Sequence, residues 1–335
     1  MTPEFGRPGG PSNSSPQSEQ AKQAVYEFLA AQGVRFRREE KLGQALSATH
    51  SRGKERLAHE HLAFVGEAAL SVANAEILYQ EGLPSDDGRL LKTALDSLSS
   101  LETRLHLARK AHLGRLASAC GAPEAELAPQ LLAAVVGAVL LDRGVIGAAD
   151  LVRKLYGDLE KPASYLASLR LQFSNTYLPS VATCSHSPTE VREGLEIYFA
   201  PDKLQLFRDA LGQERDEGQR KLRFSRVVFI GDTIVATALR RFISTRFPQH
   251  NLRQLQGETA SSWLTHIDDF DRRLGRTEIT AAILRDLQFG EFLSYRGYVR
   301  ALIGAQYLAE RREEAWQLAR RFVPLLERPK PGSPG

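Results

Sequence analysis

Cysteine and methionine are nearly missing: 335 residues hold two cysteines, Cys120 and Cys184, and one methionine. Two thiols so far apart supply neither a disulfide framework nor a zinc site of the CxxC type. Both are read as plain buried or half-buried thiols, and a reducing compartment fits. No apolar run approaches the roughly 18 to 20 residues that a membrane helix needs, which predicts a chain outside the bilayer. Alternation of apolar and polar residues at period two is nearly absent, which excludes a fold built on sheets. The 42% apolar and 25% charged composition excludes a disordered or fibrous chain.

What is present is helical periodicity. The opening residues 1–17 are rich in Pro, Gly and Ser and are expected to be disordered. From residue 18 onward apolar positions recur at spacings of three and four, as at Val25, Phe28 and Leu29. Helical windows are predicted at about 55–82, 88–119, 125–141 and 147–159. Turn signals separate them, such as Gly82-Leu83-Pro84 and Gly121-Ala122-Pro123. The period is lost over 173–188, which ends at Ser187-Pro188 and is read as a linker. Windows return at about 189–199, 201–213, 222–246, 251–273, 277–289, 295–310 and 312–327, before a Pro/Gly tail at 328–335. The length suits two domains, placed at 18–172 and 189–327, in an all-α chain.

Charge is unevenly spread. The formal net charge is +4, with 44 Lys and Arg against 40 Asp and Glu. Residues 220–330 hold 20 of the basic and 12 of the acidic side chains, which leaves the remainder slightly acidic. A basic C-terminal half favours a polyanionic partner.

Each half carries one helix with a glycine followed by an acid inside an apolar run. The first reads His59-Glu60-His61-Leu62-Ala63-Phe64-Val65-Gly66-Glu67-Ala68-Ala69-Leu70. The second reads Ser225-Arg226-Val227-Val228-Phe229-Ile230-Gly231-Asp232-Thr233-Ile234-Val235. A glycine inside a helix costs about 1 kcal/mol relative to alanine, so its presence twice in one setting predicts close backbone approach to a neighbouring helix. A second pattern follows in each half: Ala133-Ala134-Val135-Val136-Gly137-Ala138-Val139-Leu140-Leu141-Asp142, then Arg300-Ala301-Leu302-Ile303-Gly304-Ala305-Gln306-Tyr307-Leu308-Ala309.

These segments resemble the RNase III family, whose signature helix reads E-R-L-E-F-L-G-D-A-V-L and whose later helix reads E-A-L-I-G-x-x-x-L-D. The segment LETRLHLARKAHLGRLASA is similar to the family's middle helix, and ETASSWLTHIDDFDRRLG is its weaker counterpart in the second half. The resemblance covers most of 20–327. It implies two RNase III-like helical domains in tandem, paired through their signature helices as an intramolecular pseudo-dimer.

The family cleaves a phosphodiester with two metal ions, whose carboxylate ligands come from both motifs. In the first half those positions fall on Ala63, Glu67, Gln130 and Ala133, with Glu60 at the accessory acidic position. In the second they fall on Val228, Asp232, Gly297 and Arg300, with Ser225 at the accessory one. Glu60, Glu67 and Asp232 are thus the remnants of the site. The expectation is that neither half binds catalytic magnesium, that Glu67 and Asp232 are structural or ion-paired, and that the chain is not an enzyme. No other cofactor is implied. His59 and His61 point to different helix faces at this spacing and are read as surface or interface side chains. No other nucleophilic or metal-ligating constellation emerges.

What remains is binding. Candidate phosphate contacts are Arg220, Lys221, Arg223, Arg240, Arg241, Arg272, Arg273, Arg276, Arg311, Arg312, Arg320 and Arg321, because a guanidinium donates two parallel hydrogen bonds to a phosphate. Ion pairing with neighbouring acids, as Asp268, Asp269 and Asp271 beside Arg272 and Arg273 suggest, is the alternative for each. No strand pattern of a duplex-RNA-binding domain follows the second helical unit. The resemblance implies a component of a mitochondrial ribonucleoprotein in the matrix. The favoured particle is the large ribosomal subunit or its assembly intermediate, in contact with structured ribosomal RNA and other proteins of that particle and with no membrane. A subunit of a mitochondrial RNA editing or processing complex, an organellar intron-binding protein, an endonuclease completed by a partner chain, and a protein-binding scaffold are the alternatives.

Overall fold

The computed structural model describes residues 15–47, 54–157, 160–172, 201–259 and 298–323. The linker at 173–188 with Cys184, the segment ETASSWLTHIDDFDRRLG beyond its first two residues, Arg272, Arg273, Arg276 and Gly297, and the acids Asp268, Asp269 and Asp271 lie outside them. Among the described residues every regular element is helical, so the chain is all-α.

Local chemistry sets where the helices begin and end. α1 (Pro16–Ala31) starts two residues before the expected position 18, because Ser15 accepts a hydrogen bond from the Ser18 amide and proline fills the first turn. α2 (Glu39–Leu46) follows, and α3 (Lys54–Glu81) carries the first signature segment. The single window expected over 88–119 is three helices: α4 (Gly88–Leu98), α5 (Leu101–Lys110) and α6 (Leu113–Ala119). Ser100 caps α5 through the Thr103 amide, and His112 adopts a left-handed conformation, φ 59°, which turns the chain between α5 and α6. The two windows at 125–141 and 147–159 are, conversely, one helix, α7 (Glu124–Tyr156), continuous apart from a break at Gly144, φ 77°. Glycine tolerates that left-handed turn without a Cβ clash. α8 (Glu160–Gln172) ends the first half.

The second half contributes α9 (Leu204–Ala210), α10 (Glu217–Arg246) with the second signature segment, a helical segment at 252–259, α11 (Tyr298–Leu308) and α12 (Arg312–Phe322). α3 packs along α7, α10 packs along α11, and α10 also lies against α3 and α4.

The glycines explain both long crossings. A Cβ on Gly66 would stand 1.7 Å from the Ala133 carbonyl oxygen, and one on Gly137 would stand 2.0 Å from that of Leu62. In the second half, Gly231 would meet the Arg300 carbonyl oxygen at 1.7 Å and Gly304 that of Val227 at 2.1 Å. Each crossing is a reciprocal pair of glycines with backbone against backbone, as the two-fold appearance of the motif predicted. The same local arrangement occurs in both halves.

Two helices correct the expectation about apolar length. α3 and α7 are long and apolar enough to cross a membrane, yet most of that length is buried inside the fold. They are central core helices, surrounded by α2, α5, α6 and α10.

Polar groups join the halves as well. Arg226, buried on α10, stacks over the Tyr79 ring at 4.7 Å and donates to the carbonyls of Tyr79 (3.2 Å), Asp86 (3.0 Å) and Leu83. Those carbonyls lie at the C-terminal end of α3 and in the turn beyond it, where a helix leaves acceptors unpaired. The Asp86 carboxylate holds the same turn through the Leu83 amide (2.7 Å) and a two-pronged pair with Arg170 (2.8 and 2.6 Å). Farther up α3, Glu76 is 2% exposed and accepts from Arg153 of α7 (2.7 Å), from the Tyr307 hydroxyl of α11 (2.8 Å) and from Arg312 of α12. A carboxylate buried this deeply requires such partners.

Candidate functional site

Two of the retained acids each follow the glycine of a crossing. Glu67 on α3 accepts from Arg104 of α5 at 3.3 Å and from Arg240 of α10 at 3.0 Å. Arg240 also donates to the Phe64 carbonyl at 3.1 Å and lies over the Phe64 ring at 5.2 Å. Asp232 on α10 is held by Arg300 of α11 at 2.6 Å. A third of the Asp232 side chain still reaches solvent, and the rest is packed within the fold. That burial pushes its carboxyl above the usual range, against the opposing pull of Arg300 and Lys92.

Glu60, at the accessory position, accepts from Arg56 one turn back at 2.9 Å and from the Leu252 amide at 2.9 Å. The second contact satisfies a free amide at the start of the 252–259 helix. There Asn251 and Gln254 also cap reciprocally, Asn251 N to Gln254 Oε1 at 2.9 Å and Gln254 N to Asn251 Oδ1 at 3.0 Å. Ser225, in place of the second accessory acid, accepts from the Gly88 amide at 3.0 Å and so joins α10 to the start of α4. Ala63 and Ala133 are buried. Asp142, which closes the second motif of the first half, accepts from the amides of Arg37 (2.7 Å) and Arg38 (3.2 Å).

The two histidines part company. His61 sits between the halves as an interface side chain: its Nε2 donates to the His250 carbonyl at 2.9 Å and its Nδ1 accepts from Ser244 Oγ at 2.8 Å. His59 is corrected from surface to core. It is 3% exposed, its Nδ1 donates to the Ala45 carbonyl at 2.8 Å, and its Nε2 has no partner among the described residues. Burial pulls its pKa below the usual value, with the Ala45 carbonyl and Glu60 opposing. Its spacing from His61 indicated a different helix face; no residue type marked that face as core.

The basic candidates are largely engaged within the fold. Lys221 pairs with Glu217 at 2.6 Å, Arg223 with Glu214 at 3.2 Å, Arg240 with Glu67, Arg311 with Glu314 at 2.8 Å, and Arg312 with Glu76. Arg220 lies half-buried on α10, and of Arg321 only the helical backbone is described. Arg241 and Arg320 differ. Arg241 on α10 lies over the Trp316 ring of α12 at 5.7 Å, close enough to Arg320 to feel its charge. Burial, then Arg320, push the Arg241 guanidinium below its usual pKa, while Glu313 opposes. Neither arginine forms an ion pair among the described residues.

Comparison with known proteins agrees with this architecture. No family model matches the chain. Ribonuclease 3 of Ralstonia nicotianae is 30% identical over 199 residues, 55% of this chain and 76% of that protein. Ribonuclease 3 of Thermobifida fusca is 30% identical over 116 residues, 33% of this chain and 48% of that protein; the enzyme of Cupriavidus necator is 35% identical over 131 residues, 37% and 50%. The chain therefore spans about half the length of several relatives that it matches, and three quarters of one. An all-α fold with these paired motifs is of the RNase III type. The chain belongs to the ribonuclease 3 family.

That membership overturns one expectation. The chain was expected not to be an enzyme, and the relatives it matches bear an enzyme's name. The metal ions that the resemblance implies are a separate question of fit. Glu67 faces two guanidinium groups and Asp232 one, and among the described residues no group of three His, Cys, Asp or Glu is placed to share an ion. The described residues do not by themselves fit a two-ion centre, and no step is derived through one.

Proposed function

We propose that the chain is an RNA-binding member of the family. In this reading its two halves are tandem RNase III-like domains joined as an internal pseudo-dimer, and they hold structured RNA within a mitochondrial ribonucleoprotein. The observation that carries it is the Arg241 and Arg320 cluster. Two like charges on α10 and α12, one of them half-buried against Trp316 and only partly offset by Glu313, cost energy that an anion between them would repay. Phosphate oxygens have the charge and geometry for that place. The packing of α3 along α10, with Arg240 reaching Glu67, supports the pairing of the halves.

The large ribosomal subunit of the mitochondrion, or its assembly intermediate, is the favoured particle, on the strength of the family resemblance. Sedimentation of gently lysed organelles with and without RNase tests this. Co-migration with large-subunit ribosomal RNA that collapses after RNase supports it. Migration with a smaller complex assigns an editing or processing particle instead, and free migration in both samples sinks both. Binding of purified protein to duplex RNA across a salt series tests the arginines: Arg241→Gln with Arg320→Gln is expected to lower the salt slope by about two, one per lost phosphate contact.

A second reading is favoured by the name of the relatives and by Glu67 and Asp232 standing at motif positions. In it the chain is an endonuclease whose metal ligands are completed by a partner chain. Magnesium-dependent cleavage of duplex RNA that appears with co-purifying partners and is lost in Asp232→Ala supports it; no cleavage in either preparation removes it.

A further inference from the structure

Away from the signature acids, the two halves enclose an open cavity of about 340 Å³ between α2, the start of α3, α7 and the end of α10. Leu57, Leu141 and Pro248 supply an apolar lining. Lys41 and Lys54 bring two ammonium groups to the same cavity, and neither forms an ion pair among the described residues. Lys41 Nζ donates to Gln44 Oε1 at 3.2 Å, which leaves N–H groups for a ligand. His61 is pinned between Ser244 and the His250 carbonyl, so that side of the cavity is rigid. Gln249 also lines this space, and its side-chain amide has both a donor and an acceptor.

We propose that this cavity binds a nucleoside monophosphate group, with the phosphate on Lys41 and Lys54 and the base against the apolar lining. The volume lies at the lower end of the range for small-ligand sites and suits one nucleotide. Two cations beside an apolar surface with a free amide match a ligand that is anionic at one end and flat, with hydrogen-bonding edges, at the other. A free nucleotide and the phosphorylated end of an RNA share this chemistry. The inference shares only α10 with the Arg241 and Arg320 cluster and uses none of the same side chains, so either can fail alone. Because the lining comes from both halves, occupancy would bridge them.

Calorimetric titration of the full chain tests this with four probes: AMP, adenosine, a 5′-phosphorylated hexaribonucleotide, and the same oligomer with a 5′-hydroxyl. AMP is expected to bind at least about tenfold more tightly than adenosine, the value of one charge-assisted hydrogen bond. Lys41→Gln and Lys54→Gln should each weaken AMP about tenfold with little change in melting temperature, since Lys54 is exposed, Lys41 is half-buried, and neither forms an ion pair among the described residues. A phosphorylated oligomer that binds more tightly than AMP assigns RNA ends as the source, and AMP binding as tightly assigns the free nucleotide. Adenosine binding equal to AMP, no saturable binding of either phosphorylated probe up to millimolar concentration, or lysine variants that bind as the parent does would each overturn the proposal.

Discussion

The two signature helices share a backbone arrangement and differ in what their acids hold. In α3 and α7, and again in α10 and α11, reciprocal glycines bring carbonyl oxygens to where a Cβ would have to be. Glu67, one residue after its glycine, reaches out of its own half to Arg240 as well as to Arg104. Asp232, one residue after the equivalent glycine, stays within its own half on Arg300. Backbone packing therefore tolerates little change at a crossing, while the adjacent side chain has been put to different uses: a tie between halves in one case and an internal pair in the other.

The largest effect is expected where the halves agree. Gly66→Ala and Gly231→Ala each place a methyl group 1.7 Å from a backbone carbonyl oxygen, which no rotamer change can relieve. Each should cost about 3 kcal/mol or more, read as a shift in urea midpoint or as loss of soluble protein. Tolerance of one and not the other would show that the two crossings are not equivalent.

A somewhat smaller effect is expected at the joint between halves. Arg226→Ala removes the donor to three carbonyls at the end of α3 and exposes one face of Tyr79. A loss of about 2 to 4 kcal/mol is expected, against less than about 1 kcal/mol for Arg240→Ala, whose partner Glu67 is 30% exposed and keeps Arg104. Equal losses in chemical denaturation would break the distinction between the buried joint and the half-exposed tie.

How much of this was legible in the sequence follows from which forces leave a local trace. The glycine-acid motif announced the crossings because close backbone approach requires the smallest residue at fixed positions. The all-α class followed from periodicity. The breaks inside 88–119 were missed because Ser100 caps a helix from within an amphipathic window, and because a histidine, not a glycine, takes the left-handed turn at 112. The opposite error, two windows for one α7, falls across Gly144, where the helix breaks locally and then resumes. At the site, Glu67 and Asp232 were correctly expected to be candidates for ion pairing. The partner Arg300 was foreseen because the motif itself places it there; Arg240 and Arg104 were not, since their distance in sequence from Glu67 carries no signal.

The smallest predicted effect sharpens the comparison one residue before the accessory position, where the first half has buried His59 and the second has buried Phe224. Burial holds the His59 pKa in the fold below its ordinary value, and its Nε2 has no partner among the described residues. In the unfolded chain it titrates near its ordinary value of about 6.5. Below that pH the unfolded state binds a proton that the folded state does not. Stability is therefore full above about pH 6.5 and falls as pH drops toward the lowered folded value, by at most about 1.4 kcal/mol per pH unit. His59→Phe, which copies the second half, loses the bond to the Ala45 carbonyl and should be less stable at pH 7.5. It should also lose less between pH 7.5 and 5.5 than the parent, since its contribution no longer titrates. Urea midpoints at the two pH values measure both. An unchanged difference between parent and variant would mean that His59 takes up its proton in the fold as readily as outside it, and that the two halves, alike in burial at this position, differ there in charge at low pH.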